Sequence, residues 1–159
     1  MPDDQKQENL PGVPQASGPY LAVALLCEKV LTEADGVTSL IRIIDRVIIQ
    51  IIGPSAPVEM PPAPINLTLV LGFKSGFARG AYNVTVKGVG PSQQALFTYE
   101  LPMLLEGEDR GTQVGLNLGL NAQEEGVYWF EVYVLGMLVT KVPLRVVYQR
   151  LSMSSQGKP

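Results

Sequence analysis

The stretch Val114-Gly115-Leu116-Asn117-Leu118-Gly119-Leu120 decides the class of fold, because its side chains alternate strictly. Every even-numbered position is apolar, and every odd-numbered position is glycine or asparagine. In a β-strand successive side chains point to opposite faces, so one face of this segment is predicted to be core and the other almost bare. The pattern therefore predicts a half-buried strand in a sheet that packs against another layer.

The same period of two recurs on both sides of this stretch. It runs from Ile65 to Phe73, from Tyr82 to Val86 and, less strictly, from Ala95 to Leu101. Half-buried strands of this kind are what two packed antiparallel sheets require. We therefore predict an all-β fold, an antiparallel two-sheet β-sandwich (immunoglobulin-like or related) of about 7–9 strands.

The 159 residues fit one domain, and we place a single β-sandwich domain at residues 19–150. Residues 1–18 are polar and contain proline and glycine, which predicts a flexible leader. Residues 151–159 predict a flexible tail. The proline-rich stretch 54–64 predicts an extended connection that crosses from one sheet to the other, with a polyproline ligand as the alternative.

Residues 40–52 allow two structures. Their β-branched Ile and Val residues, and the Asp35-Gly36 hairpin turn that leads into them, favour a strand. An amphipathic helix is the alternative, because four polar residues share one helical face: Arg42, Asp45, Arg46 and Gln50. A continuous strand would turn one set of side chains to the core: Ile41, Ile43, Asp45, Val47, Ile49 and Ile51. The carboxylate in that set would then need a partner, because burying a lone charge is costly.

The segments 127–135 and 138–148 predict a final hairpin around Gly136. A three-residue loop over residues 135–137 keeps the apolar side chains on one face and sets Glu131 opposite Lys141. Such a cross-strand ion pair is favourable. Pro143 cannot donate a hydrogen bond to a neighbouring strand, so its strand is predicted to lie at or near an edge.

The chain has no histidine, and Cys27 is its single cysteine. These counts exclude Ser-His and Cys-His nucleophile pairs, histidine-ligated or thiolate metal sites, and a disulfide within the chain. Cys27 lies in an apolar run and is predicted to be a small buried hydrophobe. Residues 72–76 lack the residue order of a phosphate-binding loop. We therefore predict a protein that is not an enzyme and that holds no cofactor and no metal.

Two groups of loop carboxylates leave one chemical possibility open. They are Glu106, Glu108 and Asp109 in one loop and Glu124 and Glu125 in the next loop but one. We expect solvated loop charges, since charged side chains are mostly exposed. A calcium or carboxylate-based site would require the two groups to converge.

Charge and hydropathy restrict the partners. The net charge of −3 argues against nucleic acid, which is bound through Lys and Arg. The longest apolar run, residues 40–52, is too short and too charged to span a membrane. The N-terminal residues are acidic and polar, unlike a secretory signal, so a cytoplasmic location is expected.

The outward face of the final hairpin is the candidate partner surface. It carries Trp129, Tyr133, Lys141 and Arg145. Tryptophan, tyrosine and arginine are the residues that interface hot spots favour. The alternative is that the leader, a loop or the other sheet covers this face.

Three stretches together resemble a group of uncharacterised bacterial proteins, which are small cytoplasmic β domains of unknown function. The stretches are the Asp35-Gly36 hairpin, residues 41–46, and residues 125–132 with 142–147. The resemblance spans most of residues 19–148 and implies the fold and a bacterial origin, but no activity. Leu135-Gly136 departs from the Asp-Gly that this group often has in the last turn.

The function expected from these features is that of a non-catalytic protein-binding or assembly module. Its partner would be another protein or a second copy of itself, since sheet edges that are not blocked tend to pair. The alternative is a binder of a lipid or other apolar small molecule, held in a β-barrel-like cavity.

Overall fold

The structure, a computed structural model, describes residues 18–151, so the predicted leader (1–18) and tail (151–159) lie outside it except for one residue each. Within this range the regular secondary structure is nine strands. In chain order they are β1 (Tyr20–Thr32), β2 (Thr38–Ile43), β3 (Arg46–Ile52), β4 (Ala63–Lys74), β5 (Arg79–Val89), β6 (Ala95–Glu106), β7 (Gly111–Ala122), β8 (Gly126–Val134) and β9 (Met137–Leu151). The described residues include no helix that is long and apolar enough to cross a membrane.

The strands form two sheets, which confirms the predicted all-β sandwich. One sheet has four strands in the order β2-β1-β4-β7, and the other has five in the order β3-β9-β8-β5-β6. Neighbouring strands are antiparallel except β3 and β9, which run parallel. Strand β3 therefore pairs with a strand nearly one hundred residues away, Gln50 lying beside Gln149 at a separation of 99 residues.

The core lies between the two sheets and follows the alternation in the sequence. In β7 the side chains of Val114, Leu118 and Leu120 are buried, whereas the intervening glycines and Asn117 are exposed. From the facing sheet, Phe130 and other fully buried side chains pack against them. Burying each such side chain stabilises the fold by about 1.5–3 kcal/mol.

The segment 40–52 is β-structure, as predicted, but it is two strands and not one. The chain leaves the four-stranded sheet after Ile43 and enters the five-stranded sheet at Arg46. Arg42 adopts a positive φ angle of 52° just before this crossing. The predicted core face is therefore wrong in its first half: Ile41 and Ile43 are 39% and 66% exposed, and Asp45 is exposed as well. In the second half Val47 and Ile49 pack against the core as predicted, and Ile51 is half-buried.

The opening hairpin contains the predicted Asp35-Gly36 turn. Gly36 has a φ angle of 84°, a conformation that glycine adopts without steric strain. The carboxylate of Asp35 accepts a hydrogen bond from the backbone N–H of Val37 at 3.0 Å. Asp35 and Gly36 therefore fix the turn by a side-chain contact and a backbone conformation.

The final hairpin has the predicted register through a different turn. The turn is two residues long, Leu135-Gly136, and both φ angles are positive, at 52° and 75°. A bulge on β9, opposite the step from Val132 to Tyr133, takes up one residue. The pairs beyond the bulge, including Glu131 with Lys141, are those that the sequence predicted. The predicted three-residue loop is wrong because the extra residue lies in the strand and not in the turn.

Two predictions about proline are confirmed. Strand β9 lies next to the edge strand β3, which pairs with it only from Arg145 onward. At Pro143, therefore, no strand within residues 18–151 pairs with the outer side of β9. The N–H of Arg145 donates to Asp45 on that outer side, and the backbone nitrogen of Pro143, two residues earlier, points the same way. Residues 53–62 connect β3 in one sheet to β4 in the other, as predicted for the proline-rich stretch.

Candidate functional site

The outward face of the five-stranded sheet contains a groove, which we define by the six residues that line it. These are Asp45, Arg46, Val127, Trp129, Pro143 and Arg145, and the groove has a volume of about 250 Å³. Arg46 and Arg145 lie directly opposite each other on β3 and β9. Adjacent strands are about 4.8 Å apart, so the two arginine side chains leave the sheet from neighbouring backbone positions, and both line the groove.

Neither arginine of the groove forms an ion pair with a residue in the range 18–151. The four ion pairs within that range involve other cations. Asp45 lines the same groove, but its carboxylate does not come within 4.0 Å of either guanidinium. The half-buried indole of Trp129 forms one wall, with Pro143 in register opposite it.

Beside the groove lies a second group, the Glu131 cluster, made of Lys87, Glu131, Tyr133 and Lys141. The Glu131 carboxylate accepts a hydrogen bond from the hydroxyl of Tyr133 at 2.8 Å and pairs with the Lys141 ammonium at 2.6 Å. The ammonium of Lys87 lies 4.8 Å from the centre of the Tyr133 ring, a cation–π contact. The cluster spans three strands, β5, β8 and β9, and fixes the side chain of Tyr133 on the sheet.

These contacts shift three pKa values. The hydrogen bond from Lys141, assisted by that from Tyr133, lowers the pKa of Glu131. The same contacts raise the pKa of Lys141 and of Tyr133, because each donates to the Glu131 carboxylate. The cluster therefore keeps its charges at neutral pH, with Glu131 ionised and Lys141 protonated.

Replacing Glu131 by glutamine is expected to destabilise the protein at neutral pH but not in acid. A lowered folded-state pKa means that the contribution of Glu131 is full above the ordinary glutamate pKa and is lost as the pH falls through the lowered value. Urea unfolding of both proteins over a pH series measures the effect. The difference between the urea midpoints of the two proteins should disappear as the pH falls.

Glu100→Gln is the matched control for this pH series. Glu100 is exposed on the same sheet and forms no ion pair with residues 18–151. A Glu131→Gln difference that stays constant down to strongly acidic pH would contradict the assignment.

The structure brings the four predicted residues onto one face, in two groups. Trp129 and Arg145 line the groove, whereas Tyr133 and Lys141 belong to the Glu131 cluster. Sequence reasoning missed Arg46 and Lys87. The first reaches the site through the parallel pairing of β3, and the second through the pairing of β5 with β8. The alternation of polar and apolar residues around Lys87 predicted that its side chain points outward. No sequence signal predicted that Lys87 lies beside β8 or that Arg46 lies beside Arg145.

The two groups of loop carboxylates do not converge. They lie at opposite ends of β7, whose 12 residues make eleven steps of roughly 3.3 Å and so separate the two groups by about 36 Å. In the first group Glu106 and Glu108 pair with Arg110 and Arg79. No cluster of acidic or thiol side chains suited to a metal ion occurs within residues 18–151.

Cys27 is buried, as predicted from its apolar neighbours. Burial raises the pKa of its thiol, and a hydrogen bond with the backbone of Lys29 lowers it in part. A thiol whose pKa is raised by burial is a poor nucleophile at neutral pH, because the thiolate is the reactive form.

Comparisons with known proteins found structural similarity but no family. No protein-family model and no curated protein match the chain. An immunoglobulin-like protein from Pseudomonas aeruginosa is similar over 84% of this chain and 99% of its own, with a TM-score of 0.40 and 12% identity. A β-glucosidase from Listeria innocua is similar over 54% of this chain, with a TM-score of 0.38 and 11% identity. The matched region is 14% of that enzyme's chain, and neither similarity says anything about activity.

Proposed function

We propose that this protein is a non-catalytic protein-binding module that holds an acidic segment of a partner in the groove. The observation that carries the proposal is the pair of opposed arginines, Arg46 and Arg145, beside the indole of Trp129. Two guanidinium groups without a carboxylate partner among residues 18–151 form an anion-binding surface.

The charge around the groove supports an acidic partner. The groove and the Glu131 cluster together carry four cations, Arg46, Lys87, Lys141 and Arg145, against the carboxylates of Asp45 and Glu131. These two groups of residues therefore carry a net positive charge, although the whole chain has a net charge of −3. A local positive surface attracts an acidic segment and orients it.

Trp129 supports a protein partner over a free anion. An indole beside arginines offers apolar contact and hydrogen-bond donors together, the combination found at interface hot spots. A small inorganic anion would use the guanidinium groups alone. A peptide with carboxylates and apolar side chains would use the whole groove.

Trp129 is the single tryptophan of the chain and therefore reports on the groove directly. We expect its fluorescence to change when the protein is titrated with a peptide of alternating Glu and Phe. A peptide of alternating Lys and Phe of the same length should leave the emission unchanged. Reversal of one charge, Arg145→Glu, should weaken the binding of the acidic peptide by at least about tenfold.

Lys29→Glu is the matched control, because it makes the same charge change on the other sheet. It should leave the peptide affinity within about twofold of the original, since the net charge alone is screened at physiological salt. Equal losses in the two variants would assign the binding to net charge and contradict a role for the groove. Equal responses to the two peptides would contradict an acidic partner.

The alternative, a binder of a lipid or other apolar molecule between the sheets, has less support. Leu69, Leu71 and Phe130 are fully buried in the single core cluster between the sheets, in the space that such a ligand would need. Native mass spectrometry of protein purified gently from cells separates the two functions. A retained small apolar mass would favour the alternative. The proposed location is the bacterial cytoplasm, supported by the free Cys27 and by the family resemblance.

A further inference from the structure

The two sheets leave four edge strands among residues 18–151: β2, β3, β6 and β7. An edge strand has a row of backbone N–H and C=O groups without a partner, and proteins block such rows with short strands, charges, prolines or bulges. Three of the four edges are blocked in this way. Strand β6 carries Glu100, Pro102 and Glu106, and β2 and β3 are only 6 and 7 residues long, with Arg42 and Arg46 on them.

Strand β7 has none of these devices. It is 12 residues long and contains neither a charged residue nor a proline. All of its residues pair with β4 without a register shift, so no bulge bends it away. Its outward-facing positions are exposed and are occupied by glycine or by residues with an amide side chain: Gly111, Gln113, Gly115, Asn117, Gly119 and Asn121. Along all 12 residues of β7, therefore, no strand within residues 18–151 pairs with the outer row of backbone groups.

We propose that β7 pairs antiparallel with β7 of a second copy of this chain, joining the two four-stranded sheets into one sheet of eight. This surface lies on the other sheet from the groove, so the proposal goes beyond the proposed function and does not depend on it. Antiparallel pairing of identical strands about a two-fold axis is self-complementary. The pairing supplies backbone hydrogen bonds, as in the recognition of a peptide by an exposed sheet edge.

The sequence of β7 fits its own copy. With Asn117 opposite its equivalent, Gly115 faces Gly119, and Leu116 faces Leu118 on the core side. Amides then meet amides and apolar side chains meet apolar side chains. The Asn117 side-chain oxygen already accepts a hydrogen bond from Thr68 at 3.0 Å, and its NH₂ group remains to donate across the axis.

Charge and exposed apolar surface also favour a second copy. The chain has a net charge of −3, but the uncharged β7 edge brings no like charges together. The neighbouring edge strand β6 leaves Tyr99 49% exposed, although Tyr99 pairs with the buried Val86 and so shares its core-facing side. Tyr99 is thus exposed at the edge of the sandwich formed by β6 and β7, and a strand added to β7 would lie at that edge.

The test uses two opposite charges at Asn117 in the full chain. Asn117→Lys and Asn117→Asp each place two like charges directly opposite at the axis, and each should weaken the dimer by at least about tenfold. An equal mixture of the two variants pairs Lys with Asp and should restore the dimer. Native mass spectrometry over a concentration series resolves the mixed dimer by its mass, and its recovery shows that both variants are folded.

Gln50→Lys is the matched control. Gln50 is also an amide on an edge strand, bonded within its own sheet to Gln149 at 2.9 Å, but it lies on β3 in the other sheet. This variant should remain dimeric. A wild-type chain that stays monomeric throughout the series would overturn the proposal. So would a dimer that survives both Asn117 variants, or one that Gln50→Lys disrupts equally.

Discussion

Replacing Phe130 by alanine is expected to lower the free energy of unfolding by about 3–5 kcal/mol. Phe130 is fully buried on β8, the central strand of the five-stranded sheet, and its ring stacks on Phe97 at 6.2 Å between centroids. Truncation removes the apolar contacts of the ring and leaves a cavity that the surrounding strands cannot close. Since domains of this size are stable by about 5–15 kcal/mol, the loss is a large fraction of the total.

Urea unfolding followed by circular dichroism measures this loss. Leu104→Ala is the control, because Leu104 is an apolar residue exposed on the edge strand β6. It should change the free energy of unfolding by less than about 0.5 kcal/mol. A Phe130→Ala protein destabilised by less than about 1 kcal/mol would show that Phe130 is not part of a tightly packed core.

Replacing Gly88 by alanine is expected to destabilise the protein by about 1–3 kcal/mol, the usual effect of overpacking. A Cβ atom on Gly88 would lie 2.5 Å from Cε1 of Phe97, which no real contact allows. The Phe97 ring lies 5.0 Å from the Tyr99 ring and 6.2 Å from the Phe130 ring, so it cannot move without disturbing them. Glycine at this position makes room for the aromatic ring of the neighbouring strand.

Gly115→Ala is the matched control for Gly88→Ala. Both glycines are in strands, but a Cβ atom on Gly115 would meet no atom within 4 Å. Since glycine weakens a strand by its conformational freedom, this change should be neutral or stabilising by up to about 1 kcal/mol at a protein concentration at which the chain is monomeric. The same urea experiment compares the two variants. Equal effects would contradict the steric role of Phe97.

The sequence predicted those parts of the fold that depend on local alternation. The buried and exposed positions of β7 follow directly from residues 114–120, and Asp35-Gly36 marked the first turn. The register around Glu131 and Lys141 was also predictable, because only one pairing keeps the apolar side chains together. These features could be predicted because each depends only on residues that are close in the sequence or that belong to one hairpin.

The features that sequence reasoning missed depend on distant residues. The sequence signal near the break after Ile43 was Asp45, a charged residue in the predicted core-facing set, but it did not indicate that the chain crosses to the other sheet. The parallel pairing of β3 with β9 joins segments that are 99 residues apart in the sequence, measured from Gln50 to Gln149. It is this pairing that brings Arg46 to Arg145, and the groove could not be predicted without it.

The parallel pairing of β3 with β9 also has a consequence for the order of folding during synthesis. Among residues 18–151, strand β3 has one neighbour, β9, which is the last of the nine described strands in chain order. Until β9 emerges, the segment Val47-Ile48-Ile49-Gln50-Ile51-Ile52 has no strand to pair with, and its composition is typical of segments that aggregate. Closing a sheet across such a separation in sequence is slow. The nascent chain therefore carries this aggregation-prone segment unpaired from the synthesis of β3 until that of β9, a separation of 99 residues from Gln50 to Gln149.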